Sequence, residues 1–158
     1  MKKKDQLPLR KGVGIVLLNE FNQIFVGKRI DNPTRAWQMP QGGIDKNENL
    51  YDAAKRELFE ETSVKSTKLI KELNYWIDYD LPNYLLGKIW KGKFRGQTQK
   101  WFFMKFTGHE DEININTKNP EFMDWKWVNK EDLLSVAVSF KIETYKSLKL
   151  ELDKLNVN

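Results

Sequence analysis

Three glutamates, Glu57, Glu60 and Glu61, stand at i, i+3 and i+4 in a stretch with no Pro or Gly from Ile44 to Val64. Leu50, Ala53, Ala54 and Leu58 favour a helix there, so at about 100° per residue the three carboxylates share one face within an arc of about 100°. Like charges at this spacing repel. They also sit in the last turns, where the helix macrodipole disfavours acids by about 0.3–1 kcal/mol each. A stretch that opposes its own local stability points to function. Hard divalent cations such as Mg²⁺ or Mn²⁺ remove the conflict, because they take carboxylate oxygens while keeping waters and substrate phosphates in their shell. The chemistry implied is metal-assisted phosphoryl transfer. Taken alone, the string REXXEE reads equally as a solvated acidic face partly neutralised by Lys55 and Arg56.

The string is not alone. Gly42, five residues, Glu48, seven residues, then Arg56-Glu57-Leu58-Phe59-Glu60-Glu61 and Val64 matches eight of nine fixed or class-restricted positions of GX5EX7REUXEEXGU over 23 residues. In this the chain resembles the Nudix hydrolases. The departure is Ser63, where the family has Gly; a left-handed residue just past a helix end costs a non-glycine about 1 kcal/mol, or the chain takes another exit. The resemblance implies an α/β fold, a mixed β-sheet in an α/β/α sandwich, and a divalent cation (Mg²⁺ or Mn²⁺) held by Glu57, Glu60 and Glu61, with Glu48 a further candidate ligand. Gly42 and Gly43 would let the loop fold back against the helix so that backbone carbonyls, Gly42 included, also reach the metal. Arg56 would orient a box glutamate such as Glu48 through charge-assisted hydrogen bonds.

Matches outside the box concern the substrate. WQMPQGGI before it, GQTQKWFF, PEFMDWKWV and VSFK (residues 138–141) resemble the bacterial RNA pyrophosphohydrolases, a group that overlaps with dinucleoside polyphosphate hydrolases. That resemblance implies 5′-triphosphorylated RNA as substrate, with a dinucleoside polyphosphate as the alternative. It adds Glu121 as metal ligand or general base, and makes Phe140 a stacking contact and Lys141 a polar contact to a nucleobase. Val138 and Ser139 would shape that pocket, and Arg29 and Gln41 would touch phosphate. By residue type alone Phe140 reads as core and Lys141 as a surface lysine. Glu57 and Glu121 both remain candidates for the general base. A catalytically silent nucleotide- or RNA-binding module would betray itself by a missing box carboxylate, and none is missing.

These residues need a scaffold, and at 158 residues the expectation is one domain spanning 1–158. With no cysteine and one histidine, His109 in the polar GHEDE, the chain lacks disulfides, thiolate nucleophiles and multi-histidine metal sites. The formal charge of +5 must lie away from the acidic cluster and attracts polyanions. No apolar run approaches 18 residues and MKKKDQLPLRKG has no signal-peptide core, so a cytoplasmic protein with no membrane or DNA partner is expected. Oligomeric state is not legible.

Along the chain, Gly12–Leu18 and Gln23–Arg29 read as a β-hairpin, WQMPQGG as a third strand and Lys68–Tyr79 as a fourth. Pro82-Asn83 ends it. The basic segment that follows, YLLGKIWKGKFRGQTQ, reads as a strand or hairpin with a loop, facing either substrate or solvent. Gln99–Thr107 reads as a buried strand with Trp101 and Phe103 on one face and Phe102, Met104 and Phe106 on the other. Glu121–Val128 reads as another strand. Asn129 is expected to cap a short helix and Ser139 a last helix with Tyr145, Leu148, Leu152 and Leu155 in one apolar stripe.

Overall fold

The computed structural model describes residues 4–31 and 36–155. Its centre is strand β1 (Leu9–Leu18), buried on both faces from Gly12 to Leu18, in keeping with a run of small and apolar residues that carries no polar side chain. One edge of β1 pairs in parallel with β5 (Gly96–Phe106) along ten residues, from Leu9↔Gly96 to Leu18↔Lys105. The other edge is divided. Gly12 to Gly14 pair with β3 (Gln41–Gly43), while Leu18 pairs with Ile24 at the start of β2 (Ile24–Arg29). β4 (Thr67–Asp80) and β6 (Phe122–Val128) close the sheet as edges, giving the order β4-β5-β1-β2-β6 with every pair but β1·β5 antiparallel.

Side chains alternate across this sheet and feed two cores. On one face Val16, Val26, Trp101 and Phe103 meet Tyr145, Leu148 and Leu152 of α3 (Ile142–Lys154). On the other Ile15, Leu17, Phe102 and Met104 meet Ala53, Ala54 and Leu58 of α1 (Leu50–Thr62). The architecture is therefore an α/β/α sandwich around a mixed sheet. Burying such a leucine completely means that Leu148→Ala should cost about 2–5 kcal/mol.

Three local expectations change. Asn129 makes no cap; its Oδ1 accepts from Gln23 Nε2 at 3.2 Å, and a 3-10 turn over Lys130–Asp132 runs straight into α2 (Leu133–Val136). Ser139 lies a 3-10 turn ahead of α3, whose N-cap position is taken by Lys141. The basic segment after Pro82 is turns and a 3-10 element at Trp90–Gly92 rather than strand, with β5 starting only at Gly96.

Candidate active site

Helix α1 opens on Asn49, whose Oδ1 accepts from the amides of Tyr51 and Asp52, satisfying two otherwise unpaired donors of the first turn. It ends on Ser63, which takes the left-handed conformation itself (φ 67°), donates its amide to Phe59 O at 2.8 Å and its hydroxyl to Asn114 O at 2.8 Å. The family's glycine is replaced, and its backbone geometry is kept.

Arg56 is the hub of the helix face. It grips Glu48 with two parallel bonds of 2.8 and 2.9 Å, donates to Glu57 at 2.8 Å and to Gly43 O at 3.0 Å, and reaches Glu60 at 3.3 Å. The guanidinium holds the Glu48 carboxyl down to about 2, far below the ordinary carboxylate range. Both Glu48 oxygens are engaged, because Oε1 also accepts from the Asp45 amide. Glu60 is the most exposed of the four box glutamates.

Of these acids Glu61 is buried and Glu57 half-buried. Desolvation raises the pKa of Glu57, opposed by its bond to Arg56 and reinforced by Glu60 and Glu121. Glu61 is 1% exposed, and burial, then the charges of Glu121 and Glu57, push its carboxyl well above the usual range. Its Oε1 accepts from the Gln41 amide at 3.2 Å, while Oε2 is buried with no hydrogen-bond partner. Gly42 of β3 lies so close that a Cβ there would overlap the Glu57 carboxyl. Glu121 stands just before β6, where its carbonyl accepts from Ile30 and its carboxylate lies 3.6 Å from Arg29. Arg29 itself is held by two 2.7 Å bonds to Asp31. Among the described residues no three acids close on a common point. Arg56 instead divides them, taking Glu48, Glu57 and Glu60 while Glu61 is left with an unpaired oxygen.

Beside the carboxylates lies a cluster of side chains from distant segments. The Phe140 ring meets the Tyr79 ring at 5.7 Å. Lys141, 5% exposed, donates to Gln38 Oε1 at 3.0 Å and lies 5.6 Å and 5.9 Å from the Tyr79 and Phe140 ring centres. The surface position read from its residue type is thus overturned, since the turn before α3 folds the ammonium inward. Burial, with the Arg29 cation adding to it, pushes Lys141 down to about 7 against the opposing pull of Glu61 and Asp31. Tyr79 donates nothing to this lysine; its hydroxyl accepts from Gln97 Nε2 at 2.9 Å. Gln99 Nε2 donates to Gln41 Oε1 at 2.8 Å, tying β5 to the box loop. Val138 lies half-buried before the turn and Ser139 is exposed on it. Tyr79, Gln38 and Gln99 were not singled out from the sequence. The alternation of Leu73, Ile77 and Tyr79 along β4 was the available signal for Tyr79.

A family model for the NUDIX domain matches residues 8–148. The chain belongs to the NUDIX family. This NUDIX chain is 55% identical over 152 residues to the RNA pyrophosphohydrolase of Pelagibacter ubique, with 96% of each chain covered. It is 48% identical over 154 residues to the RNA pyrophosphohydrolase of Rickettsia africae, covering 98% of this chain and 96% of the relative. Solved NUDIX-like folds superpose on it as well. The E. coli dihydroneopterin triphosphate pyrophosphohydrolase does so with a TM-score of 0.71 at 19% identity, over 92% of this chain and 99% of that one. A C. elegans Ap4A hydrolase binary complex gives 0.67 at 19% identity, over 93% and 100%. At such identity the likeness concerns the fold. Among the described residues of the NUDIX chain no helix is long and apolar enough to cross a membrane.

Proposed function

We propose that this chain is an RNA pyrophosphohydrolase, converting 5′-triphosphorylated RNA to 5′-monophosphorylated RNA by divalent-metal-assisted hydrolysis. The observation that carries the reading is the unpaired Glu61 Oε2, buried beside Glu57 and Glu121 and near the cluster of Phe140, Tyr79 and Lys141. The names of its relatives across nearly the full chain support the same reading.

The donor set fits a hard cation. Glu61 has an oxygen without a partner, Gly42 makes room for the Glu57 carboxyl where a side chain would otherwise stand, and three mutually repelling acids need positive charge between them. Glu57, Glu60, Glu61 and Glu121 would hold Mg²⁺ or Mn²⁺, with the Gly42 carbonyl within the same loop. When bound, the ion offsets phosphate charge and acidifies the attacking water. Glu48, with both oxygens committed, serves instead to fix Arg56, and Arg56 in turn fixes Glu57 and Gly43 O. A water positioned among Glu57, Glu61 and Glu121 loses its proton to a carboxylate of this set, and the pH–rate profiles of Glu57→Gln and Glu121→Gln distinguish the two bases. Phe140 stacks on the first base, with Tyr79 behind it, while Lys141 supplies donors to the base edge and Arg29 and Gln41 face the phosphates.

The test is a paired steady-state assay at fixed Mg²⁺, comparing short 5′-triphosphorylated RNA with diadenosine tetraphosphate. A higher kcat/KM on RNA is expected. A higher value on the dinucleotide would move the function to clearance of dinucleoside polyphosphates.

A further inference from the structure

The turn between β4 and β5 holds charge and aromatic area that the reaction above leaves unused. Trp90, Lys91 and Gly92 have φ of 51°, 57° and 71°, three left-handed residues in succession. Two of them carry a Cβ that crowds the backbone in this region, so neighbouring contacts must impose the conformation. Those contacts centre on Trp90. Its ring lies 5.3 Å from the Arg10 guanidinium and meets Phe94 edge-on at 6.3 Å.

Arg10 in turn leads back to the catalytic loop. Its Nη1 donates to Gln97 Oε1 at 3.4 Å, and its Nη2 packs so closely on Gly43 that a Cβ there would come within 2.5 Å. Gln97 donates to the Tyr79 hydroxyl, and Tyr79 meets Phe140. Phe140, Tyr79, Gln97, Arg10 and Trp90 therefore form one contiguous line from the cluster proposed to hold the first base to the turn. At its far end Lys88, Lys91 and Lys93 are exposed, and among the described residues none of them pairs with an acid. Arg95 differs, being held by Asp80 at 3.3 Å. A half-buried indole backed by a cation, at the end of a line of polar and aromatic groups and flanked by free ammonium groups, complements a chain of bases and phosphates.

We propose that Trp90, backed by Arg10 and flanked by Lys91 and Lys93, is a stacking platform for the unpaired nucleotides that follow the 5′ end of an RNA held in the catalytic site. This rests on the function proposed above. The platform makes the enzyme sensitive to how much single-stranded RNA follows the reacting end.

The experiment compares 5′-triphosphorylated RNAs of two and eight unstructured nucleotides with the same first two bases. Trp90→Ala should lower the eight-mer to two-mer ratio of kcat/KM about tenfold, the scale of one base stack, through KM rather than kcat, with Trp90→Phe restoring most of it. The double variant Lys91→Gln/Lys93→Gln should flatten the salt dependence of eight-mer binding by one to two ion equivalents, about one per lost phosphate contact. Equal losses on both lengths would overturn the proposal, reducing Trp90 to a buttress of Arg10 and the box loop, and an unchanged ratio would overturn it outright. If the wild-type chain hydrolyses neither RNA, the proposed function fails separately; a Trp90-dependent change in anisotropy of a 5′-hydroxyl octanucleotide would still support the platform. Trp90-dependent binding to anionic phosphatidylglycerol vesicles without binding to that octanucleotide would overturn it in favour of a membrane surface.

Discussion

Replacing Lys141 by methionine should stabilise the protein at mildly acidic pH and progressively lose that advantage as the solution becomes alkaline. Lys141 titrates near 7 in the folded chain against an ordinary value of 10.5. A lysine depressed in this way favours folding fully only above 10.5, and its contribution falls as pH drops from there to about 7. The slope is about 1.4 kcal/mol per pH unit over that window, and below about 7 the loss is constant. Relative to its alkaline state the group therefore costs the wild type about 2 kcal/mol at pH 9 and about 4–5 kcal/mol at pH 6.5, a change of about 2–3 kcal/mol across that window. Methionine has nothing to titrate and nearly the same length. It does leave Gln38 Oε1 without the 3.0 Å bond it accepts now, a fixed cost of about 1–3 kcal/mol at every pH. The quantity to read is the stability difference between variant and wild type as a function of pH, from urea unfolding in EDTA at pH 6.5, 7.5 and 9. It should shift by about 2–3 kcal/mol in favour of the wild type as pH rises. A difference that stays flat would refute the reasoning, because it would mean that the ammonium is solvated in the folded protein. On RNA, the same variant should lose kcat/KM mainly through KM.

Glu60→Gln should lower turnover about 100-fold while leaving a cooperative melt unchanged, since it removes from an exposed position a charge that the proposed metal would use; near-normal turnover would sink that proposed role. Gly42→Ala should displace the Glu57 carboxyl and weaken Mg²⁺ binding about tenfold or more by isothermal titration, and an unaltered affinity would mean that the Glu57 carboxyl moves aside without consequence. Ser63→Gly should change stability by less than about 1 kcal/mol, because relief of the left-handed strain is offset by loss of the Ser63 hydroxyl bond to Asn114 O. A gain of several degrees in Tm would show that this bond contributes little.

What could be read from the sequence follows from what is local. The helix carrying Glu57, Glu60 and Glu61 is written in spacings of three and four residues, and the two faces of β5 in spacings of two, so both emerge without knowledge of the rest. Lys141 was misread because its burial depends on Gln38, Tyr79 and Arg29, which arrive from three other segments. Phe140, read by type as core, is half-buried against Tyr79 for the same reason. Caps were the least legible. Asn129 and Ser139 have the right side chains, yet tertiary contacts decide that Gln23 takes one and that the helix starts after the other. Asn49 does cap, its Oδ1 accepting from the Tyr51 and Asp52 amides of its own helix.

The pairing of β1 with β5 has a consequence for how the chain is made. Every contact in that ladder spans 87 residues, as between Arg10 and Gln97. When the first strand leaves the ribosome, the only partners soon available among the described residues are β2, at one registered position, and β3, at three. The apolar run from Gly12 to Leu18 thus waits, with one edge unpaired, until residues as far as Phe106 have been synthesised. At about 5–20 residues per second that delay is on the order of 5–20 s, far longer than a hairpin takes to close. Nascent chains should therefore engage hydrophobic-surface chaperones through this segment and release them only after β5 has emerged.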